Sequence, residues 1–131
     1  MIKQEKEKKM ENNNDSLALK IAQVLYDKKA LNIRVLHVGG LTVITDYMVI
    51  ASGRNALQVK ALADDTEDAL AEMGILPRAK EGHGEGRWVV LDYGSVLVHL
   101  FHPEDREFYH LEKLWANGEN EVALPFDSAE D

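Results

Sequence analysis

The most regular pattern of apolar and polar positions lies between residues 56 and 73, where apolar side chains recur every three or four residues. This spacing predicts an amphipathic helix with its apolar stripe on one side. The stripe consists of Val59, Leu62, Ala63, Thr66, Ala69, Leu70 and Met73. Asn55 can cap the first turn of this helix, and Gly74, followed by Pro77, favours a left-handed cap after the last turn.

A second stripe with helical spacing, in residues 17–28, predicts an earlier helix that ends near Lys29. Asp15 or Ser16 can cap it, because either side chain accepts hydrogen bonds from the free amides of a first turn. Residues 1–14 alternate Lys with Glu and end in three Asn, which is typical of a disordered charged arm.

Five short segments are predicted to form strands. Three of them are Ile33–Val38, Tyr47–Ala51 and Arg78–Glu81. The second is almost continuously apolar, as expected of a strand that is covered on both faces. The last two strands form a hairpin, whose turn we place at Tyr93-Gly94.

Both faces of this hairpin are apolar. Pairing across the turn puts Leu91 opposite Val96 and Trp88 opposite His99, and opposed residues share a face. One face then carries Val89, Leu91, Val96, Val98 and Leu100. The other face carries Trp88, Val90, Leu97, His99 and Phe101. Each apolar face requires a layer of structure packed against it. The two long helices can pack against only one of the two faces.

The segment Pro103–Trp115 can cover part of the second face, through Phe108, Leu111 and Leu114. We expect this cover to be incomplete, which would leave an apolar patch around Trp88. The alternative is that Trp88 is an ordinary core residue. Two interpretations also remain for Tyr109 and Trp115. They either pack the segment against the domain or form an exposed edge that a partner recognises.

Length and composition fit one globular domain. The chain has 131 residues, 45% of them hydrophobic and 29% charged. We divide it into the arm at residues 1–14, a folded domain at residues 15–116 and an acidic disordered tail at residues 117–131. No apolar run approaches the roughly 20 residues of a membrane span, and the amino terminus lacks the apolar centre of a secretory signal.

Charge and cysteine content narrow the possible partners and compartments. The formal net charge is -8, which disfavours direct binding to nucleic acid and favours a basic partner protein. The chain has no Cys, so disulfides, thiolate zinc sites and Cys nucleophiles are excluded. This composition is compatible with a reducing cytoplasm, where we expect the protein to act.

No motif predicts a catalytic, cofactor or metal site. His99 and His102 would point to opposite faces of their strand, which is poor geometry for a tetrahedral zinc site. Asp46 and Asp92 stand at strand ends without a visible partner carboxylate or His, and Asp is also a favoured turn residue. The loop at Ser52-Gly53 lacks the Lys-Ser/Thr ending of a phosphate-binding P-loop.

Several ordered motifs together resemble the ribosomal silencing factor family, also called Iojap-like. They are Thr45-Asp46-Tyr47-Met48-Val49-Ile50, Gln58-Val59, Glu81-Gly82, Trp88-Val89-Val90-Leu91-Asp92-Tyr93-Gly94, Val98-His99-x-Phe101 and Arg106-x-Phe108-Tyr109-x-Leu111-Glu112-x-Leu114-Trp115. The resemblance spans residues 17–115. It implies an α/β fold with a mixed sheet and flanking helices, related in architecture to nucleotidyltransferases but without their activity.

The resemblance also implies a function without chemistry. Such a protein binds the large ribosomal subunit through its protein number fourteen and sterically blocks association with the small subunit, and it can form a homodimer when free. The implied partner-binding residues are Trp88, Asp92, Tyr93, His99, Phe101, Glu112 and Trp115, to which the shared hairpin face adds Val90 and Leu97. Ser95 departs from the family pattern, which usually has an acid there.

Two other functions stay open at this point. One is a nucleotidyltransferase-like enzyme, which would need clustered carboxylates that hold a divalent metal beside a phosphate-binding turn. The other is a self-associating structural protein, whose apolar patch is only a dimer interface. The leading hypothesis is a ribosome-binding translational repressor that is not an enzyme and needs no cofactor.

Overall fold

A computed structural model describes the backbone of residues 2–128 and the side chains of residues 15–128. The helices and strands, in chain order, are α1 (Ile2–Asp27), β1 (Leu31–His37), β2 (Tyr47–Ser52), α2 (Ala56–Ala71), β3 (Ala79–Glu81), β4 (Trp88–Asp92), β5 (Val96–Phe101), α3 (Pro103–Tyr109) and α4 (Leu111–Trp115). No helix within the described residues is both long and apolar enough to span a membrane.

The five strands form one mixed sheet in the order β1-β2-β5-β4-β3. β2 and β5 run parallel, and the other three neighbouring pairs are antiparallel. All six residues of β2 are buried, as its continuous apolar run predicts. The predicted α/β class with a mixed sheet and flanking helices is therefore confirmed.

α1 and α2 cover one face of the sheet and enclose the main core. The core side of α2 carries Val59, Leu62, Ala63, Thr66 and Leu70, which are the buried members of the predicted stripe. Its predicted ends are also confirmed. The Asn55 side chain accepts a hydrogen bond from the Gln58 amide at 2.9 Å, and Gly74 has a φ of +77°.

α1 differs from the prediction at its start. Its helical backbone begins at Ile2, so Asp15 and Ser16 lie inside the helix and not at its start. Asp15 instead accepts a hydrogen bond from the Tyr47 hydroxyl. Lys, Glu, Gln and Met all favour helix, so the charged segment can extend α1 where we expected a disordered arm at residues 1–14. The side chains of those residues lie outside the described part of the chain.

The hairpin pairs two residues away from the predicted register. Asp92 lies opposite Leu97, and Trp88 lies opposite Phe101 instead of His99. The turn therefore consists of Gly94-Ser95, and Gly94 has a φ of +82°, as the first position of a type II′ turn requires. A shift of two residues preserves the side of every residue, so the two predicted face sets are correct although the pairing was wrong.

Residues 117–128 pack against the domain, so the predicted disordered tail is wrong for this segment. Asn120 and Val122 exchange backbone hydrogen bonds of 2.8 Å with the outer edge of β1. Arg34 binds both carboxylate oxygens of Glu121, at 2.9 and 2.6 Å. An uncovered edge strand would expose unpaired backbone groups, and this segment pairs part of that edge. Residues 129–131 lie outside the described residues.

Phe126 anchors the end of this segment. Its ring stacks on Tyr26 of α1 with a centroid distance of 4.2 Å. A double-mutant cycle with Tyr26→Ala and Phe126→Ala should therefore give a coupling of about 0.5–1.5 kcal/mol in the free energy of unfolding, measured by urea denaturation. Asp127→Ala, at an exposed neighbour, is the control and should change little. Zero coupling would show that Phe126 does not stack on Tyr26 in solution.

Candidate protein-binding surface

The sheet face opposite α1 and α2 is only partly covered. α3 and α4 form a second, smaller core with it, made of the buried residues Leu36, Val38, Met48, Ile50 and Phe101. Leu111 and Trp115 pack against this core and confirm the predicted cover by the segment Pro103–Trp115. Phe108 and Leu114 were predicted to pack there too, but about three quarters of each is exposed.

The break at His110 explains why the cover is incomplete. This residue has a φ of +47° and separates α3 from α4. Helical spacing across such a break no longer keeps side chains on one side, so Phe108 and Leu114 turn away from the sheet. The apolar side chains beyond the reach of Leu111 and Trp115 therefore lack a full cover.

Trp88 lies in this uncovered region and is partly exposed. Its ring centroid lies 4.9 Å from that of Phe101 and 4.8 Å from that of Tyr109. Its Nε1–H donates a hydrogen bond of 3.1 Å to Nδ1 of His99. The indole therefore packs against the second core and is partly exposed at its edge.

Val90, Asp92 and Leu97 share this face and are also partly exposed. The Asp92 carboxylate accepts a hydrogen bond of 2.8 Å from the Gly94 amide and forms an ion pair of 3.2 Å with Arg78. The bond from Gly94, followed by the charge of Arg78, lowers the pKa of Asp92. The Asp92 carboxylate thus fixes the hairpin turn, at the end of the same strand, β4, that begins with Trp88.

His99 is the buried member of the same face. Its pKa falls to about 4 because burial penalises the imidazolium form. The bond from Trp88 occupies Nδ1, so the proton of the neutral ring lies on Nε2. That Nε2–H has no hydrogen-bond partner among the described residues. His99 lies beneath the surface and is in contact with Trp88.

Besides His99, three of the expected partner-binding residues are buried in the free protein. Tyr93 lies on the opposite face, under the helices, where burial raises its pKa to about 12. Phe101 is fully buried beneath Trp88. Glu112 is buried in an ion pair of 3.2 Å with Arg106. In this conformation they support the fold, whereas Trp115 is partly exposed at the edge of the second core.

Sequence reasoning missed an exposed apolar loop beside the hairpin turn. Leu41, Val43 and Ile44 are exposed, and Val43 is completely so. Thr45 holds this loop against the turn through a hydrogen bond of 3.0 Å from its hydroxyl to the Gly94 carbonyl. The sequence contained a signal for this loop. Residues 41–44 are mostly apolar but follow Gly39-Gly40 and lack a strand pattern, so no predicted element would carry them into the core.

The remaining clefts suit a binding role less well. A cleft of about 480 Å³ opens beside β1, β2 and α3. The two arginines that line it are engaged within the protein, where Arg34 pairs with Glu121 and Arg106 pairs with Glu112. No group of three or more His, Asp or Glu side chains within the described part of the chain is placed to hold a metal ion.

The pKa of His99 gives a pH-dependent stability. Above about pH 6.5 the ring is neutral in both the folded and the unfolded protein. As the pH falls towards 4, only the unfolded chain gains the proton, so the free energy of unfolding drops by about 3 kcal/mol. His99→Asn removes this titration and keeps an acceptor near Nδ1. Urea denaturation should therefore show a smaller drop in the variant between pH 6.5 and 4, and parallel curves would contradict the assignment.

Comparisons with known proteins agree with this architecture. The family described as "Ribosomal silencing factor during starvation" matches residues 11–131. The ribosomal silencing factor RsfS of Bacillus subtilis is 41% identical over 105 residues, which cover 79% of this chain and 89% of that protein. The chloroplastic protein Iojap of Zea mays is 33% identical over 113 residues, or 86% of this chain and 49% of that protein.

A crystal structure of a Chromobacterium violaceum protein shares the fold. Its TM-score is 0.72 at 35% sequence identity, and the alignment covers 84% of this chain and 91% of that one. The relatives are named as silencing factors, which are regulatory proteins and not enzymes. The chain belongs to the ribosomal silencing factor family.

Proposed function

We propose that this protein silences translation by binding the large ribosomal subunit through its ribosomal protein number fourteen. The bound protein occupies the surface where the small subunit docks and so blocks subunit joining by its volume. This takes place in the cytoplasm, where the subunits meet. The observation that carries the proposal is the partly exposed Trp88 on a sheet face that α3 and α4 leave open.

The chemistry of this surface suits a protein partner. Trp and Tyr are enriched at the energetic centres of interfaces, where a ring fills a pocket of the partner. Here Trp88 and Tyr109 lie in contact, and Val90 and Leu97 extend the apolar area along the sheet. In the neighbouring turn the Gly94 amide is already bonded to the Asp92 carboxylate, so docking there leaves this donor satisfied.

Charge supports the same choice of partner. The net charge of -8 repels the phosphate backbone of ribosomal RNA and attracts basic protein surfaces. Ribosomal proteins that bind RNA carry such basic surfaces. In this arrangement the long-range field raises the rate of encounter, and the apolar surface determines how long the complex lasts.

Blocking subunit association needs a stable complex and no reaction. An interface of ordinary size, on the order of 1,600 Å² in total, is sufficient for specific binding. The loop at residues 39–46 contacts the hairpin turn, and Val90 and Leu97 lie on the sheet face between that turn and Trp88 at the other end of β4. The face and the loop can together supply such an interface. In the free protein the same exposed apolar surface would also favour a homodimer, which ribosomal protein fourteen would displace.

Trp88→Ala tests the docking surface. Because Trp88 is partly exposed, the variant should stay folded, while its affinity for purified ribosomal protein fourteen and for separated large subunits falls by about 2 kcal/mol, or roughly thirtyfold. Leu57→Ala is the control, since Leu57 is an exposed apolar residue on α2, in the opposite layer. Equal co-sedimentation of the wild type and the Trp88 variant would refute the proposed surface.

The loop at residues 39–46 gives a separate test. Val43→Ser combined with Ile44→Ser should leave the melting temperature unchanged, because both side chains are exposed in the free protein. If the loop contacts the ribosomal protein, affinity measured by titration calorimetry should fall by about 1–2 kcal/mol. If the loop variant binds like the wild type while Trp88→Ala binds more weakly, the interface is limited to the sheet face.

A further inference from the structure

His99 occupies an unusual place in the sheet. It lies between Ile50 of β2 and Val90 of β4, which are its direct partners on the two neighbouring strands. Both neighbours are apolar, and only 6% of His99 is exposed. Its Nε2–H finds no partner among the described residues. A buried donor without a partner costs free energy, and an apolar side chain at this position would avoid that cost. We therefore expect the imidazole to have a compensating role, through a favourable interaction that an apolar side chain cannot make.

The other ring nitrogen supplies that role. Nδ1 of His99 accepts the hydrogen bond of 3.1 Å from Nε1–H of Trp88. Burial keeps the ring neutral, because its pKa falls to about 4. The acceptor is therefore present throughout the neutral pH range, and the buried ring cannot rotate away easily in a close-packed sheet face.

The stacking contacts of Trp88 do not fix its orientation by themselves. Phe101 lies beneath the indole and Tyr109 lies beside it, at centroid distances of 4.9 and 4.8 Å. Ring contacts tolerate sliding, and the outer torsion of an aromatic side chain has a broad, roughly two-fold preference. A hydrogen bond is directional, so the bond to His99 selects the orientation with Nε1 towards the sheet.

We propose that His99 is a positioning residue, which orients the Trp88 indole for docking and makes no contact with the partner itself. This inference rests on the proposed function, and it replaces direct contact by His99 with an indirect effect. A preset indole loses less conformational freedom on binding, and its hydrocarbon edge is the part left for the partner. The role needs an acceptor at the position of Nδ1 and does not need a titratable ring.

The free protein tests the first half of the proposal. Trp88 and Trp115 are the two tryptophans of the chain, so Trp115→Phe assigns the remaining indole Nε1–H signal in a two-dimensional ¹H–¹⁵N spectrum. In that background His99→Leu should speed the exchange of this proton with solvent by at least about tenfold, since the bond is lost. His99→Asn places an oxygen near Nδ1 and should retain most of the protection. Equal exchange in all three proteins would overturn the proposal, whatever the ribosome does.

Binding tests the second half in the full-length chain. His99→Leu should weaken binding to purified ribosomal protein fourteen at least about fivefold, and His99→Asn should restore most of it. Circular dichroism and urea denaturation show whether the Leu variant folds. If it does not, the Asn variant alone tests the proposal, and weak binding despite a protected indole proton would refute it. If the Trp88 proton is freed while affinity stays at the wild-type value, positioning is irrelevant to docking and the proposal fails.

The two proposals fail in different ways. If Trp88→Ala also binds like the wild type, the docking surface itself is wrong, and the positioning role falls with it. If Trp88→Ala loses binding while His99→Leu and His99→Asn both keep it, the docking surface stands and the role of His99 is refuted. Loss of binding in both His99 variants, with the indole proton still protected in the Asn variant, indicates direct contact by His99 and also overturns the proposal.

Discussion

The structure depends on the hairpin of β4 and β5, whose two faces are both apolar. Burying apolar area is the main favourable contribution to folding, at about 25 cal/mol per Å², so each face requires a layer against it. α1 and α2 provide a full layer on one side. α3 and α4 are short and broken at His110, and they cover the other side only in part. The exposed remainder is the candidate binding surface.

Much of the fold could be predicted because the relevant signals are periodic. The stripe of α2, its Asn55 and Gly74 caps and the buried run of β2 all follow from local patterns, and the structure confirms them. The hairpin register was wrong because Tyr93-Gly94 and Gly94-Ser95 are both acceptable turns. The assignment of residues to the two faces was correct despite that error, because strand side chains alternate with a period of two.

The candidate site was predicted less completely, for reasons that lie in tertiary structure. Trp88, Val90 and Leu97 follow from alternation, and they are partly exposed on the expected face. The burial of Tyr93 and Glu112 could not be read from the sequence, because it depends on α2 and on the ion pair with Arg106. The packing of residues 117–128 could not be predicted either. This segment runs along the edge of β1 and has no periodic pattern of apolar residues.

In the proposed complex three physical tasks fall to different groups. Net charge would act at long range and attract a basic partner. The apolar side chains around Trp88 would supply the lasting contact, and the hydrogen bond from Trp88 to His99 would orient the indole. None of these tasks requires a bond to be made or broken, which agrees with a family of regulatory proteins.

We propose that this protein and the small subunit compete for one place on the large subunit. Light scattering of subunit joining tests this competition directly, with large subunits preincubated with increasing amounts of this protein. Joining should fall in proportion to the fraction of large subunits occupied, and excess small subunits should restore it. Complexes that contain both subunits and this protein together, formed at the normal rate, would contradict the proposal.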